Sequence, residues 1–199
     1  MPLEHLTTHL GEIHVFRARR YDDERGYFLE TFREGDLQTR GLPSRYPQDN
    51  QSGSRRGVLR GLHFQWEPPM AKLMRVVVGE AFLVAVDIRP GSPTLGQHLG
   101  LRVDAESGLQ VFAPPGFARG FCALSEFAVI QYKCTALYNS SGEGCIRWDD
   151  PDLALPWPIT EPLCSPKDRA APSFCDWLAD PRSQVFRYEP PVAGTLRYP

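Results

Sequence analysis

The chain contains no GxGxxG and no GxxxxGKS or GxxxxGKT, so neither a nicotinamide-binding turn nor a nucleoside-triphosphate loop is present. Its five histidines, His5, His9, His14, His63 and His98, include no HxH pair and no HExxH. Position 65, where a second ligand beside His63 would stand, is Gln65, so a bound metal is not expected. The cysteines Cys122, Cys134, Cys145, Cys164 and Cys175 are odd in number and widely spaced. Without a CxxC pair they indicate neither a disulfide framework nor a zinc knuckle. No GxSxG occurs and no cysteine adjoins a candidate base, which leaves covalent catalysis without a signature. Charge is nearly balanced, 22 basic against 24 acidic residues, which argues against nucleic acid as a partner. No apolar run approaches a membrane span, and the start MPLEHLTTHLGEI lacks a secretory pattern. A soluble, cytoplasmic protein is expected, and its length favours one domain over 1–199.

What the chain does have is punctuation. Nineteen prolines and 17 glycines break it into short apolar segments, which argues against long helices. Strands are expected near 13–17, 27–32, 58–66, 72–78, 81–87, 98–103, 109–112, 120–124 and 127–135, with short helices near 34–41 and 174–178. KLMRVVV and AFLVAVDI, joined by Gly79 and Glu80, read as a hairpin. Many short strands with regular turns imply an all-β, antiparallel jelly-roll sandwich or barrel with a few short helices. After about residue 170 a tail rich in proline and acidic residues carries no readable motif.

The run VLRGLHFQ, 58–65, places Arg60 and His63 around Gly61 in a strand-forming stretch. A cation and an imidazole facing an apolar interior are costly unless something compensates them. Three residues apart, they belong on opposite faces of a regular strand, and a bulge at Gly61 is what would turn both inward. In 127–135, alternation puts Ala128, Ile130, Tyr132 and Cys134 on one face, which directs Tyr132 into the interior.

Cofactor-free acid–base chemistry remains. His63 is the candidate base, Tyr132 the acid, and Asp168 an orienting carboxylate, while Lys72 and Arg60 can stabilise an oxyanion or bind phosphate. Such a set suits proton removal next to a carbonyl, with the enolate held by cations. Each residue also has a plain reading: a satisfied core histidine, a packed tyrosine, a strand-edge lysine, a turn-capping aspartate.

DERGYFLETF, PQDNQSGSRRGVLRGLHFQ, AKLMRVVVGEAFLVAVDIRPGSPTLGQ, PPGFARGFCALSE, QYKCTALY, IRWDDPDL and SPKD follow one another in order and spacing. In them the chain resembles the dTDP-4-dehydrorhamnose 3,5-epimerase family from about Phe16 to Asp168. The resemblance implies a cupin-type jelly-roll barrel, no metal or nicotinamide cofactor, and a homodimer that exchanges N-terminal strands. It makes His63 the base, Asp168 its partner, Tyr132 the acid on the opposite face and Lys72 the stabiliser of the C4 enolate. It assigns Arg25, Gln48, Asn50 and Arg60 to the diphosphate and sugar, and Phe28, Glu30 and Tyr138 to the thymidine end. Arg25 and Glu30 are expected to act across the dimer interface.

Two positions depart from the family pattern. Arg119 stands in GFARGF where the family usually has His near the diphosphate, and Leu137 replaces a frequent Tyr. Arg119 can keep the anion contact with permanent charge, or mark a different sugar nucleotide or regiochemistry. The implied reaction inverts C3 and C5 of dTDP-4-dehydro-6-deoxy-D-glucose to give dTDP-4-dehydro-L-rhamnose, a step toward activated rhamnose for polysaccharide. Inversion at C3 alone or C5 alone, a 3,4-ketoisomerase and a non-catalytic sugar-nucleotide binding barrel are the rivals.

Overall fold

The computed structural model describes residues 3–190. The end of the expected tail, 191–199, lies outside the described residues, as do residues 1–2. The strands are β1 (Leu3–His9), β2 (Ile13–Ala18), β3 (Arg20–Asp23), β4 (Gly26–Leu29), β5 (Gln48–Arg55), β6 (Leu59–Gln65) and β7 (Lys72–Val78). They continue with β8 (Glu80–Asp87), β9 (His98–Asp104), β10 (Leu109–Ala113), β11 (Phe117–Ala123), β12 (Phe127–Cys134) and β13 (Glu143–Cys145). Helices are short: α1 (Glu34–Gln38), α2 (Pro166–Arg169), α3 (Phe174–Ala179) and a 3-10 turn at Pro181–Phe186.

Two antiparallel sheets carry the fold, one ordered β1-β2-β10-β7-β12-β5 and the other β13-β6-β11-β8-β9. Alternation along each strand sends one set of side chains between the sheets. Val15, Met74, Val76, Val111 and Ile130 of the first sheet meet Leu83, Ala85, Val103, Phe117 and Phe121 of the second in one buried cluster. Burying a side chain of this size contributes about 1.5–3 kcal/mol. The all-β antiparallel reading holds: the two sheets form a sandwich, with β1, β5, β13 and β9 as the sheet edges among the described residues.

The hairpin expected at Gly79 does not form. β7 pairs with β10 and β12, whereas β8 pairs with β11 and β9, so Gly79 carries the chain from one sheet to the other. Both faces of β8 are apolar, Leu83 and Ala85 to the inner core and Val84 and Val86 to the outer, so hydrophobicity could not select its neighbour. Gly79 has φ +70°, and a Cβ there would meet the Phe127 carbonyl oxygen at 2.2 Å, which requires glycine at this crossing.

Strands β1, β3, β5 and β13 lie outside the expected set. β5 reads QDNQSGSR, with no β-branched or aromatic residue, and is held as an edge by its full ladder to β12. The expected helix at 34–41 is shorter, and the one at 174–178 is α3. The segment after residue 170 packs through 190: Phe174, Trp177 and Phe186 cover the outer face of the second sheet against Leu62, Phe64, Val84 and Val86.

Candidate active site

Gly61 builds the site. On the ladder between β6 and β11, His63 faces Arg119 and Arg60 faces Phe121, so two residues of β6 oppose Gly120 alone. This is the expected bulge, and it puts Arg60 and His63 on the inner face together. Gly61 takes φ +123°, and a Cβ there would lie 2.6 Å from the Cα of Gly120. Only glycine fits.

The second sheet thus presents Arg60, His63 and Arg119. The first presents Lys72 from β7, Tyr132 from β12 and Ser52 from β5. Together they line a cavity of about 140 Å³ between the sheets. Tyr132 shares its face with Ala128 and Ile130, as alternation predicts. A larger hollow of about 740 Å³ beside β1 and β2 is lined by Arg17, Arg19, Arg20 and Arg40 together with Glu4, His5 and Glu106.

Nε2 of His63 lies 2.6 Å from Oδ1 of Asp168, which is buried. Asp168 sits on α2, whose preceding segment runs beside the start of β6: Leu59 N donates to the Leu163 carbonyl at 3.1 Å, and Leu163 N to Gly57 at 2.8 Å. Ser165 caps α2 by accepting from the Asp168 N–H at 3.1 Å, and its hydroxyl donates to Asp168 Oδ2 at 2.8 Å. Burial pushes the Asp168 carboxyl up, but the His63 hydrogen bond and charge, the Ser165 hydroxyl and the Gly61 backbone amide outweigh it and hold the pKa below the usual range. An ionised carboxylate only accepts, so Nε2 of His63 carries the hydrogen and Nδ1 keeps the lone pair. Sequence reasoning misses Ser165, although the S-x-x-D spacing of a capping motif is there to be read.

Lys72 Nζ stands 4.8 Å from the centroid of the Tyr132 ring. Burial, then the charge of Arg119, lowers its pKa to about 8. Arg119 is only 4% exposed. Its Nη1 donates to the Met70 carbonyl at 3.0 Å and the Ala113 carbonyl at 3.4 Å, while its Nε has no partner among the described residues. The guanidinium therefore lies inside the cavity wall beside Lys72.

Asn50 pairs with Tyr132 across β5 and β12, and Gln48 Nε2 donates to Asn50 Oδ1 at 3.0 Å. Gln48 also accepts from the Tyr138 backbone amide at 2.7 Å, which ties Tyr138 to the same end of the sheet. Tyr138 is exposed, and its hydroxyl donates to Glu143 Oε2 at 3.2 Å. Arg25, Phe28 and Glu30 are not brought to the cavity in a single chain. Arg25 pairs with Asp23 in the β3–β4 hairpin, Glu30 pairs with Arg33 at 2.6 Å, and Phe28 is 64% exposed. Among the described residues no group of three or more His, Cys, Asp or Glu is arranged to hold a metal ion. No helix among them is long and apolar enough to cross a membrane.

Most of the chain is similar to known proteins of one family. The dTDP-4-dehydrorhamnose 3,5-epimerase of Methanothermobacter thermautotrophicus is 48% identical over 167 residues, 82% of this chain and 90% of the relative. The crystal structure of a dTDP-6-deoxy-D-glucose-3,5-epimerase from Legionella pneumophila Philadelphia 1, in complex with dTDP-4-keto-L-rhamnose, superposes with a TM-score of 0.88 at 42% identity. The match covers 94% of this chain and 99% of that one. A dTDP-4-dehydrorhamnose 3-epimerase from Streptomyces niveus is 41% identical over 151 residues, 75% of this chain and 73% of the relative. With the sequence model of the family matching residues 7–176, the chain belongs to the dTDP-4-dehydrorhamnose 3,5-epimerases.

Proposed function

We propose that the chain is a cofactor-free isomerase that epimerises dTDP-4-dehydro-6-deoxy-D-glucose at C3 and C5, giving dTDP-4-dehydro-L-rhamnose. The observation that carries this reading is the His63–Asp168 pair, set on one sheet and facing Tyr132 and Lys72 of the other. Nδ1 of His63 takes the proton from the carbon beside the C4 ketone. The electron pair moves to the carbonyl oxygen, where the Lys72 ammonium stabilises the enolate. Tyr132 returns a proton to the opposite face of that carbon, after which solvent water takes the proton from His63 and reprotonates the phenolate. Both carbons flank one ketone, so the same two groups serve each in turn after the ring re-poses.

A cavity of about 140 Å³ is smaller than the ~300–1,000 Å³ of sites that enclose a whole ligand. The nucleotide therefore extends outside it, toward Tyr138, with Gln48, Asn50 and Arg60 reaching the sugar and diphosphate. Tyr21, Tyr27 and Phe28 leave the β3–β4 hairpin with exposed aromatics. Their exposure supports a homodimer with N-terminal strands exchanged, in which Arg25, Phe28 and Glu30 complete the partner's thymidine site; a single-domain, cytoplasmic chain completes the proposed reading.

The likeness to a 3-epimerase favours one second reading, inversion at C3 alone. Incubation with the 4-keto sugar nucleotide in heavy water separates them. Deuterium at both C3 and C5 is expected; label at C3 only would establish the second reading, and no label at either would overturn both.

A further inference from the structure

The cavity is lined by three cationic side chains, Arg60, Lys72 and Arg119, and among the described residues by no carboxylate. Arg60 donates to the Ser54 hydroxyl at 3.2 Å and the Gly53 carbonyl at 3.3 Å. Arg119 lies deeper, between Phe117 and Phe121 on the inner face of β11, a position that its neighbours fill with apolar side chains. Its Nη1 is satisfied by two carbonyls, and its Nε by no described residue. A buried guanidinium ordinarily sits against an acid, because carbonyl dipoles leave its charge uncancelled. Here the charge is left to act on whatever shares the cavity.

We propose that Arg119 is a positioning residue of the proton-transfer site: a permanent, acid-free cation opposite His63 whose field acts on Lys72 and, through it, on the oxyanion formed there. Its action on Lys72 is argued from the cavity wall the two share, and its effect on the oxyanion rests on the epimerase reading. Ala113, whose carbonyl Arg119 holds, is paired with Lys72 between β10 and β7, so the guanidinium is anchored against the strand that carries the lysine. Arg60 and His63 from β6 and Tyr132 from β12 line the same cavity as Lys72, and the charges of Cys134 from β12 and Glu143 from β13 also reach it. Of the charges acting on it, Arg119 is the one that most favours the neutral amine, while Cys134 and Glu143 favour the ammonium. Burial first and Arg119 second lower the lysine pKa to about 8, which suits it both to hold an enolate and to exchange protons near neutral pH. A permanent cation beside it keeps the cavity attractive to an oxyanion even where part of the lysine is uncharged.

The chain has only three lysines, Lys72, Lys133 and Lys167, which makes a direct test simple. Reductive methylation with carbon-13 gives three lysine signals, assigned with Lys133→Arg and Lys167→Arg variants and followed by NMR against pH. Lys133 and Lys167, paired with Asp49 and Glu143, serve as internal references. Replacing Arg119→Gln should move the Lys72 midpoint up by on the order of one pH unit and leave the references in place. Arg119→Lys, which keeps the charge, should hold it low. Arg119→His, uncharged at pH 8, carries the same expectation as the glutamine if the latter does not fold. An unchanged Lys72 midpoint in a folded neutral variant overturns the proposal.

In turnover, the alkaline limb of kcat/KM should follow the Lys72 midpoint upward, while the value at neutral pH falls about tenfold to a hundredfold. A limb that stays in place while the Lys72 signal moves would overturn the claim on the oxyanion. A signal that moves in Arg119→Gln, with a wild-type protein that never labels C3 or C5, would sink the epimerase reading and leave the charge coupling standing. A fixed signal with normal labelling would do the reverse.

Discussion

Asp168 Oδ1 lies 2.6 Å from Nε2 of His63, although 105 residues separate the two along the chain. The pairing fixes which imidazole nitrogen is protonated, in a histidine that lines the cavity. Replacing Asp168→Asn keeps the shape and removes the charge that holds this tautomer. Proton exchange at C3 and C5 should fall by about 10²–10⁴-fold, with dTDP affinity in calorimetry little changed. Near-normal exchange would mean that the imidazole needs no carboxylate.

The same pair predicts a pH dependence. The folded-state pKa of Asp168 is lowered, so its ionised form is favoured in the folded chain. Its contribution to stability is fully present above the unfolded value of about 3.9 and is lost as pH falls through the lower folded value. Denaturant unfolding on the acid side should therefore show a shallower decline for the Asp168→Asn variant than for the wild type. Parallel declines would remove the pair from the stability balance.

Tyr132 faces His63 from the opposing sheet, which suits it to deliver a proton to the other side of a ring. In Tyr132→Phe, wash-out of the C3 hydrogen should persist while completed inversion drops about a hundredfold. His63→Ala should abolish both and leave nucleotide binding intact. Equal loss of wash-out and inversion in the phenylalanine variant would take the acid role away from Tyr132.

Gly61 is required twice over, by its φ of +123° and by the 2.6 Å that would separate an added Cβ from Gly120 Cα. Gly61→Ala should cost about 2–3 kcal/mol in chemical denaturation. It should also lose activity beyond what unfolding explains, because Arg60 and His63 would no longer share a face. A stable, fully active alanine variant would show that the bulge is not what aims them.

Arg25 and Phe28 stand clear of the cavity in one chain, and the proposed dimer makes them serve the partner's site. Mixing inactive His63→Ala and Arg25→Ala proteins tests this. If Arg25 acts across the interface, hybrid dimers contain one whole site, and random exchange should restore roughly a quarter of wild-type activity. No recovery in dimers shown to have exchanged subunits would place Arg25 within its own chain's site.

Much of this architecture is legible in short stretches of sequence. Frequent glycine and proline mark short strands, alternation turns Tyr132 inward, and glycine between Arg60 and His63 announces the bulge. Strand β5 escapes notice because its side chains are polar and its ladder to β12 is made by backbone groups that every residue has. The crossing at Gly79 is misread for a related reason, since a β-branched strand buried on both faces pairs equally well with several neighbours.

Residue pattern alone marked the apolar strands, their inward faces and the side chains that are candidates for chemistry, because these depend on local period and side-chain type. Folding in three dimensions settled who meets whom. It sent β7 and β8 to different sheets, carried Asp168 to His63 on α2, and left Arg119 inside the wall without an acid among the described residues. Contacts between segments far apart in the chain follow from sheet order and packing, and no window of neighbouring residues contains that information.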